Sequence, residues 1–200
     1  MEAAMNHDHN PISRRYFLKY SASAMTVVAL GTTPRPGFAF QARRPRFTFV
    51  QVNDIHSEAP KRGAATAYAK ANEKLRWWVE EMNRGPTPDF VVGVGDMIHG
   101  ETLDRLPKDM EYFRRAIEPL RCPFYPAMGN HEVVQREGIP EYEAAYRDVF
   151  GNDRVNYAFE HGGIVFIMLN NSGAPAAPAD VRKARNDWFK AALEEHAARP

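Results

Sequence analysis

Three short apolar runs, FTFVQV (47–52), FVVGV (90–94) and FYPA (124–127), each break off into a polar turn, with helical spacing between them. That alternation is the strongest constraint on the fold. The first strand is expected over Arg46–Val52 and a helix over Ala64–Asn83, where Ala67, Ala71, Leu75, Trp78 and Met82 recur at three and four residues. RGPTP (84–88) stops that helix. A second strand follows over Phe90–Val94, a helix over Lys108–Ile117, a third strand over Phe124–Ala127 and a helix over Glu141–Phe150. VNYAFEHGGIVFIMLN then reads as a hairpin turning at His161-Gly162-Gly163, and a Pro- and Ala-rich loop (173–179) leads to a last helix, Asp180–Ala197. Strands alternating with helices and then a hairpin predict an α/β sandwich with a mixed sheet. In such sheets ligand sites gather beyond the carboxyl ends of the strands, which is where all three polar turns fall.

The bulk numbers narrow the function classes. With 200 residues and 44% apolar content there is material for one globular core. Lys and Arg (26) nearly balance Asp and Glu (25), so no basic field for stable nucleic-acid binding is expected. A single cysteine, Cys122, excludes an internal disulfide and a thiolate zinc cluster, and it reads as a packed core residue.

The N-terminus reads as an address. Ser13-Arg14-Arg15-Tyr16-Phe17-Leu18-Lys19 resembles the bacterial twin-arginine (Tat) signal, S-R-R-x-F-L-K. The apolar run Ser21–Gly31 is too short for a permanent membrane span, and Gly37-Phe38-Ala39 supplies small residues for cleavage after Ala39. The expectation is a signal peptide over 1–39, a partner in the twin-arginine export machinery, a folded domain over 40–200 and a periplasmic or extracellular location.

The polar turns carry the chemistry. Residues i and i+2 of a strand project to one side, so Asp54 and His56 converge if strand geometry persists to them. A carboxylate and a neutral imidazole suit Zn, Fe or Mn, although a D-x-H pair alone reads more readily as a solvated loop. Gly95-Asp96 ends the second strand. Gly93-x-Gly95 fails as a dinucleotide fingerprint because Ile98 stands at the third glycine. Gly95-x-x-x-x-Gly100 fails as a phosphate loop because Glu101 replaces its lysine. The third turn is Gly129-Asn130-His131-Glu132, where Asn130 offers a neutral oxygen. Adjacent residues point apart, so with Asn130 toward a metal His131 is placed for substrate. A capped helix start, with Asn130 as the cap and Glu132 in the first turn, is the competing account.

Together, Asp54-x-His56, Gly95-Asp96 and Gly129-Asn130-His131-Glu132, each after an apolar strand, resemble the calcineurin-like metallophosphoesterases. YAFEHGGIVFIMLNNS and NDWFKAAL extend the resemblance over roughly 46–193. It implies a layered α/β/β/α sandwich and hydrolysis of phosphoric esters at a dinuclear centre of two divalent metal ions (Mn, Fe or Zn). Asp54 and His56 would hold the first metal, Asp96 would bridge both, Asn130 would hold the second, and His131 would be catalytic, protonating the leaving alkoxide or steadying the phosphate. The metals would clamp the phosphoryl group and generate the attacking hydroxide.

Some expected features are missing. The family's later histidine and Gly-His-x-His turn have no match here. His161 and His196 read as surface residues and His99 as a solvated loop histidine. The chain stops at EEHAARP where a further core strand is expected, which predicts a truncated domain with an exposed sheet edge. A catalytically incompetent fragment or pseudo-enzyme that binds metal or a partner without turnover is the alternative reading. Phosphodiester, nucleotide and phosphomonoester substrates all stay open, with a lean toward a diester or nucleotide. In the purple-type acid phosphatases a metal-binding tyrosine occupies the position held here by His99.

Overall fold

A computed structural model describes residues 47–61, 68–133, 139–172 and 177–197, all within the unit Arg44–Pro200. The twin-arginine motif and the expected cleavage point lie outside the described residues. Three parallel strands, β1 (Phe49–Val52), β2 (Phe90–Val94) and β3 (Phe124–Ala127), form a sheet in that order, with Phe49 opposite Phe90 and Val91 opposite Phe124. Each crossover carries a helix, α1 (Ala69–Arg84) and α2 (Leu106–Ile117), as parallel pairing requires. Helix α3 (Ile139–Phe150) leads to the antiparallel hairpin of β4 (Tyr157–His161) and β5 (Ile164–Met168), and α4 (Ala179–Glu195) follows. The result is the expected mixed α/β architecture of parallel and antiparallel sheets. No helix among the described residues is long and apolar enough to cross a membrane.

The two faces of the parallel sheet bury different things. On one side, Leu75 and Val79 of α1, Met110 and Phe113 of α2 and Tyr142 and Tyr146 of α3 form one core. On the other, Phe90, Val92 and Ala127 meet Tyr157 and Met168 of the hairpin, with Phe49, Tyr125, Phe159 and Phe166 packed around them. Phe49 stacks on Phe90 (5.2 Å between centroids) and Tyr125 on Phe159 (3.7 Å). Such pairs add about 0.5–1.5 kcal/mol each beyond burial. His161 belongs to this aromatic layer: its ring lies 4.9 Å from Phe90 and 5.0 Å from Phe47, with Nε2 3.7 Å from Asp89. The surface reading of His161 is therefore corrected, because the hairpin folds its tip back onto the first two strands. His196 is half-buried and closes α4 through its own N–H to Ala192 O (3.2 Å).

Helix α1 turns a slightly different face inward than its spacing predicts. Asn72, Leu75 and Val79 are the buried residues, while Ala71, Trp78 and Met82 flank them. Asn72 displaces a pure apolar stripe because its amide is needed. It accepts from Glu58 N–H (3.1 Å) and donates to Glu58 C=O (2.8 Å), tying the loop after β1 to the helix. Residues 62–67, where the expected helix begins, lie outside the described residues.

The three loops beyond the strand ends are locked to one another. Asp54 N–H, His56 N–H and Ser57 N–H donate to Gly95 O (3.3 Å), Asp96 O (3.0 Å) and Met97 O (3.0 Å), and His99 N–H returns to Ser57 O (2.9 Å). The loop after β3 is joined by Glu132. Its buried carboxylate accepts from Asp96 N–H (2.9 Å), Met97 N–H (2.8 Å), Ile98 N–H (3.2 Å) and Gly129 N–H (2.6 Å). The two glycine turns touch, so that a Cβ on Gly95 (φ +81°) would stand 2.6 Å from Gly129 Cα. Among the described residues Glu132 sits in no helical turn and Asn130 caps no helix. The backbone at 130–133 bends, and α3 spans Ile139–Phe150.

Replacing Glu132 by Gln keeps the shape but turns an NH2 group toward backbone donors, leaving buried N–H groups unpaired. The expected loss is about 2–3 kcal/mol. For a domain of this size that lowers Tm by roughly 4–10 °C. Thermal unfolding followed by circular dichroism checks this, and an unchanged Tm would count against the clamp.

Candidate metal centre

Strand geometry does not carry Asp54 and His56 to their positions. β1 ends at Val52, and both residues take left-handed backbone, φ 55° at Asp54 and 52° at His56. Asp96 does the same at φ 54°, and these are the only non-glycine residues with positive φ among those described. Each such conformation costs of order 1–3 kcal/mol and persists only where the surroundings enforce it. Here the ladder between the two loops enforces it. The side chains of Asp54, His56 and Asp96 consequently bring a ligand atom each within 4.8 Å of one another, with His56 Nε2 3.7 Å from Asp54 Oδ1. The two residues converge as expected, by a turn rather than by strand alternation.

Asn130 is exposed and lines the same concavity as Asp54 and Asp96, a space of about 360 Å³. Val94, Ala127, Met128 and Leu169 give it apolar wall, while Asn171 and Ser172 add polar groups from the segment after β5. His131 points elsewhere. Its backbone N–H donates to Asp96 Oδ1 (2.9 Å), and its ring lies 4.5 Å from the His56 ring and 5.5 Å from the His99 ring. Nδ1–H donates to His99 C=O (2.5 Å), so any proton or ligand exchange at His131 falls to Nε2.

His99 corrects a sequence expectation. It is half-buried rather than solvated, stacked on Tyr68 (3.9 Å) and grouped with His56 and His131. Burial pushes its pKa below the ordinary histidine value, and the neighbouring His131 adds to the effect. Burial likewise pushes Glu132 up to about 7, against the pull of its backbone donors.

Other supporting residues also escaped the sequence reading. Asp109 is fully buried on α2; it accepts from Ala59 N–H (2.9 Å) and from Arg105 Nη2 (3.1 Å). Arg105 also donates to Ala59 C=O (3.0 Å), so the segment following His56 is pinned to α2 as well as to α1. Burial raises the Asp109 pKa while these donors oppose it. A signal for this frame exists in the sequence. Asp109 shares the stripe of Leu106, Met110, Phe113 and Ile117, and Asn72 shares that of Leu75 and Val79. A polar residue on a buried face needs a partner.

The donor set fits a divalent ion. Two carboxylates and an imidazole converge on one point, and among the described residues neither Asp54 nor Asp96 has a lysine or arginine as ion-pair partner. A cation is the missing complement to that negative charge, and O,N donors of this mix suit Zn, Mn or Fe.

Comparison with curated proteins gives no match. A family model described as calcineurin-like phosphoesterase matches residues 47–198, from the first parallel strand through the last helix. That span contains every loop of the strained convergence, and the chain belongs to the calcineurin-like phosphoesterase family.

Proposed function

We propose that this protein is a metal-dependent hydrolase of phosphoric esters, with its metal centre at the carboxyl ends of β1, β2 and β3. The observation that carries the reading is the convergence of Asp54, His56 and Asp96 within 4.8 Å, each held at positive φ. Asp54 and His56 would hold one ion, Asp96 would face both ions, and the side-chain oxygen of Asn130 would hold the second. Divalent ions bound there supply Lewis acidity at phosphoryl oxygens and lower the pKa of water.

The chain's own residues do the rest. The locked loops fix the donors before substrate arrives, so little reorganisation is needed at the moment of reaction. His131, steadied by its Nδ1–H bond to His99 C=O, gives its proton to the leaving oxygen at Nε2 or donates to a phosphoryl oxygen there. The concavity beside Asp54 and Asp96 offers apolar wall and the polar groups of Asn171 and Ser172 to the ester's organic part. This supports a small phosphoester or nucleotide as substrate, with the lean toward diesters kept from the Asp54-x-His56 pattern. The Ser13–Lys19 motif supports export by the twin-arginine route to the periplasm or beyond, with cleavage after Ala39.

Asp96→Asn is expected to reduce hydrolysis of p-nitrophenyl phosphate and bis(p-nitrophenyl) phosphate to background, with loss of bound metal measured by mass spectrometry. Full activity with undiminished metal would remove Asp96 from the centre. His131→Ala, loaded with Mn²⁺, is expected to slow kcat by about 10²–10⁴-fold with Mn²⁺ content unchanged. Loss of Mn²⁺ in that variant would make His131 a ligand of the hydrolytic centre instead. Asn130→Ala is expected to lose one ion per chain, and an unchanged ratio would identify a single-ion site. Metal binding by the wild type without turnover of either ester would favour a binding protein that keeps the fold.

A further inference from the structure

His56, His99 and His131 form a second convergence, in which one ring nitrogen from each lies within 4.8 Å of the others. It shares only His56 with the carboxylate-bearing set and contains no carboxylate. Each ring is held from outside the group or by a fellow member. Tyr68 stacks on His99 at 3.9 Å with 28° between the planes, and the His131 ring is anchored by its Nδ1–H bond to His99 C=O. The His56 ring stands edge-on to His131 at 4.5 Å.

Nδ1 of His56 and Nδ1 of His99 are buried, and neither has a hydrogen-bond partner among the described residues. Buried polar atoms without partners are rare and call for an occupant. Neutral imidazoles can pair N–H to N, but these rings are not placed to do so at Nδ1 of His56 or Nδ1 of His99. A cation that takes nitrogen lone pairs would satisfy them. An all-nitrogen set selects borderline transition metals, Zn²⁺ above all, over Mn²⁺ or Mg²⁺, which prefer oxygen.

We propose that His56, His99 and His131 constitute a tri-histidine zinc site that is an alternative to the hydrolytic arrangement. Zinc there takes the single lone pair of neutral His56 and Nε2 of His131, so the site is filled in place of the first hydrolytic ion rather than together with it. Its distinguishing residue is His99, which has no part in that set.

The test uses the full chain labelled with ¹⁵N and follows the imidazole ring nitrogens in long-range ¹H–¹⁵N correlation spectra as Zn²⁺ is added. The expected result is a zinc-dependent shift of ring nitrogens in both His99 and His131. His99→Gln is expected to weaken Zn²⁺ binding at least about tenfold while Mn²⁺ binding persists. Asp54→Ala is expected to do the reverse, weakening Mn²⁺ while the His99 shift remains. No shift of the His99 ring in the wild type overturns the proposal. So does loss of that shift in Asp54→Ala, which would place zinc in the carboxylate-bearing set. If His99→Gln fails to fold, the wild-type and Asp54→Ala spectra decide by themselves. Failure of the hydrolase reading would show as absent Mn²⁺ binding and turnover, with the His99 response to zinc intact.

Discussion

A single buried carboxylate joins the loops that follow β2 and β3. Glu132 stands 1% exposed and collects backbone N–H groups from Asp96, Met97, Ile98 and Gly129. Removing a carboxylate from water is costly, and oriented amide donors are what can offset it. Because those donors come from two different loops, the compensation exists only when β2 and β3 deliver their ends to the same place. The same contact holds Gly95 against Gly129 so closely that neither could carry a side chain without displacing backbone. The rigidity of the site is therefore a property of loop-to-loop contact more than of any one loop.

That rigidity explains how strained residues survive. Asp54, His56 and Asp96 occupy left-handed conformations that ordinary residues avoid, and they are the three whose side chains converge. The strain amounts to a few kcal/mol, comparable with a fair share of a domain's net stability. It is offset by the backbone ladder from Asp54 to His99 and by Ser57 Oγ–H to Met97 O (3.1 Å). The benefit is preorganisation: the ligand atoms stand together before any ion or ester arrives.

Behind this layer lies a second one that fixes the β1 loop from the helical side. Asn72 grips Glu58 through both of its backbone groups, and Asp109 with Arg105 grips Ala59. Lys61 pairs with buried Glu58 (2.9 Å) and with Glu101 (2.7 Å), which links the first loop to the approach of α2. The geometry also sorts the donors. Carboxylates and Asn130 face the concavity walled by the hairpin's end, whereas His56, His99 and His131 gather with Tyr68. Oxygen donors and imidazole nitrogens thus fall into two neighbouring groups, with His56 common to both.

Much of this was legible in the chain itself. Local periodicity and turn chemistry suffice for β2 and β3 to the residue and for the hairpin turn, because those signals are carried by neighbouring residues. The order of Asp54-x-His56, Gly95-Asp96 and Gly129-Asn130-His131-Glu132 at strand ends likewise points to one shared site. What only the tertiary structure decided depends on contacts between distant segments. Glu132 reaches Met97 across 35 positions, and His131 reaches His99 across 32. The left-handed turn at Asp54 and His56 exists because the loop after β2 holds it, and His161 is half-buried against aromatic rings because the hairpin folds onto Phe47 and Phe90. Sequence spacing specifies which residues stand at the ends of strands; the pairing of those ends in space specifies which of them meet.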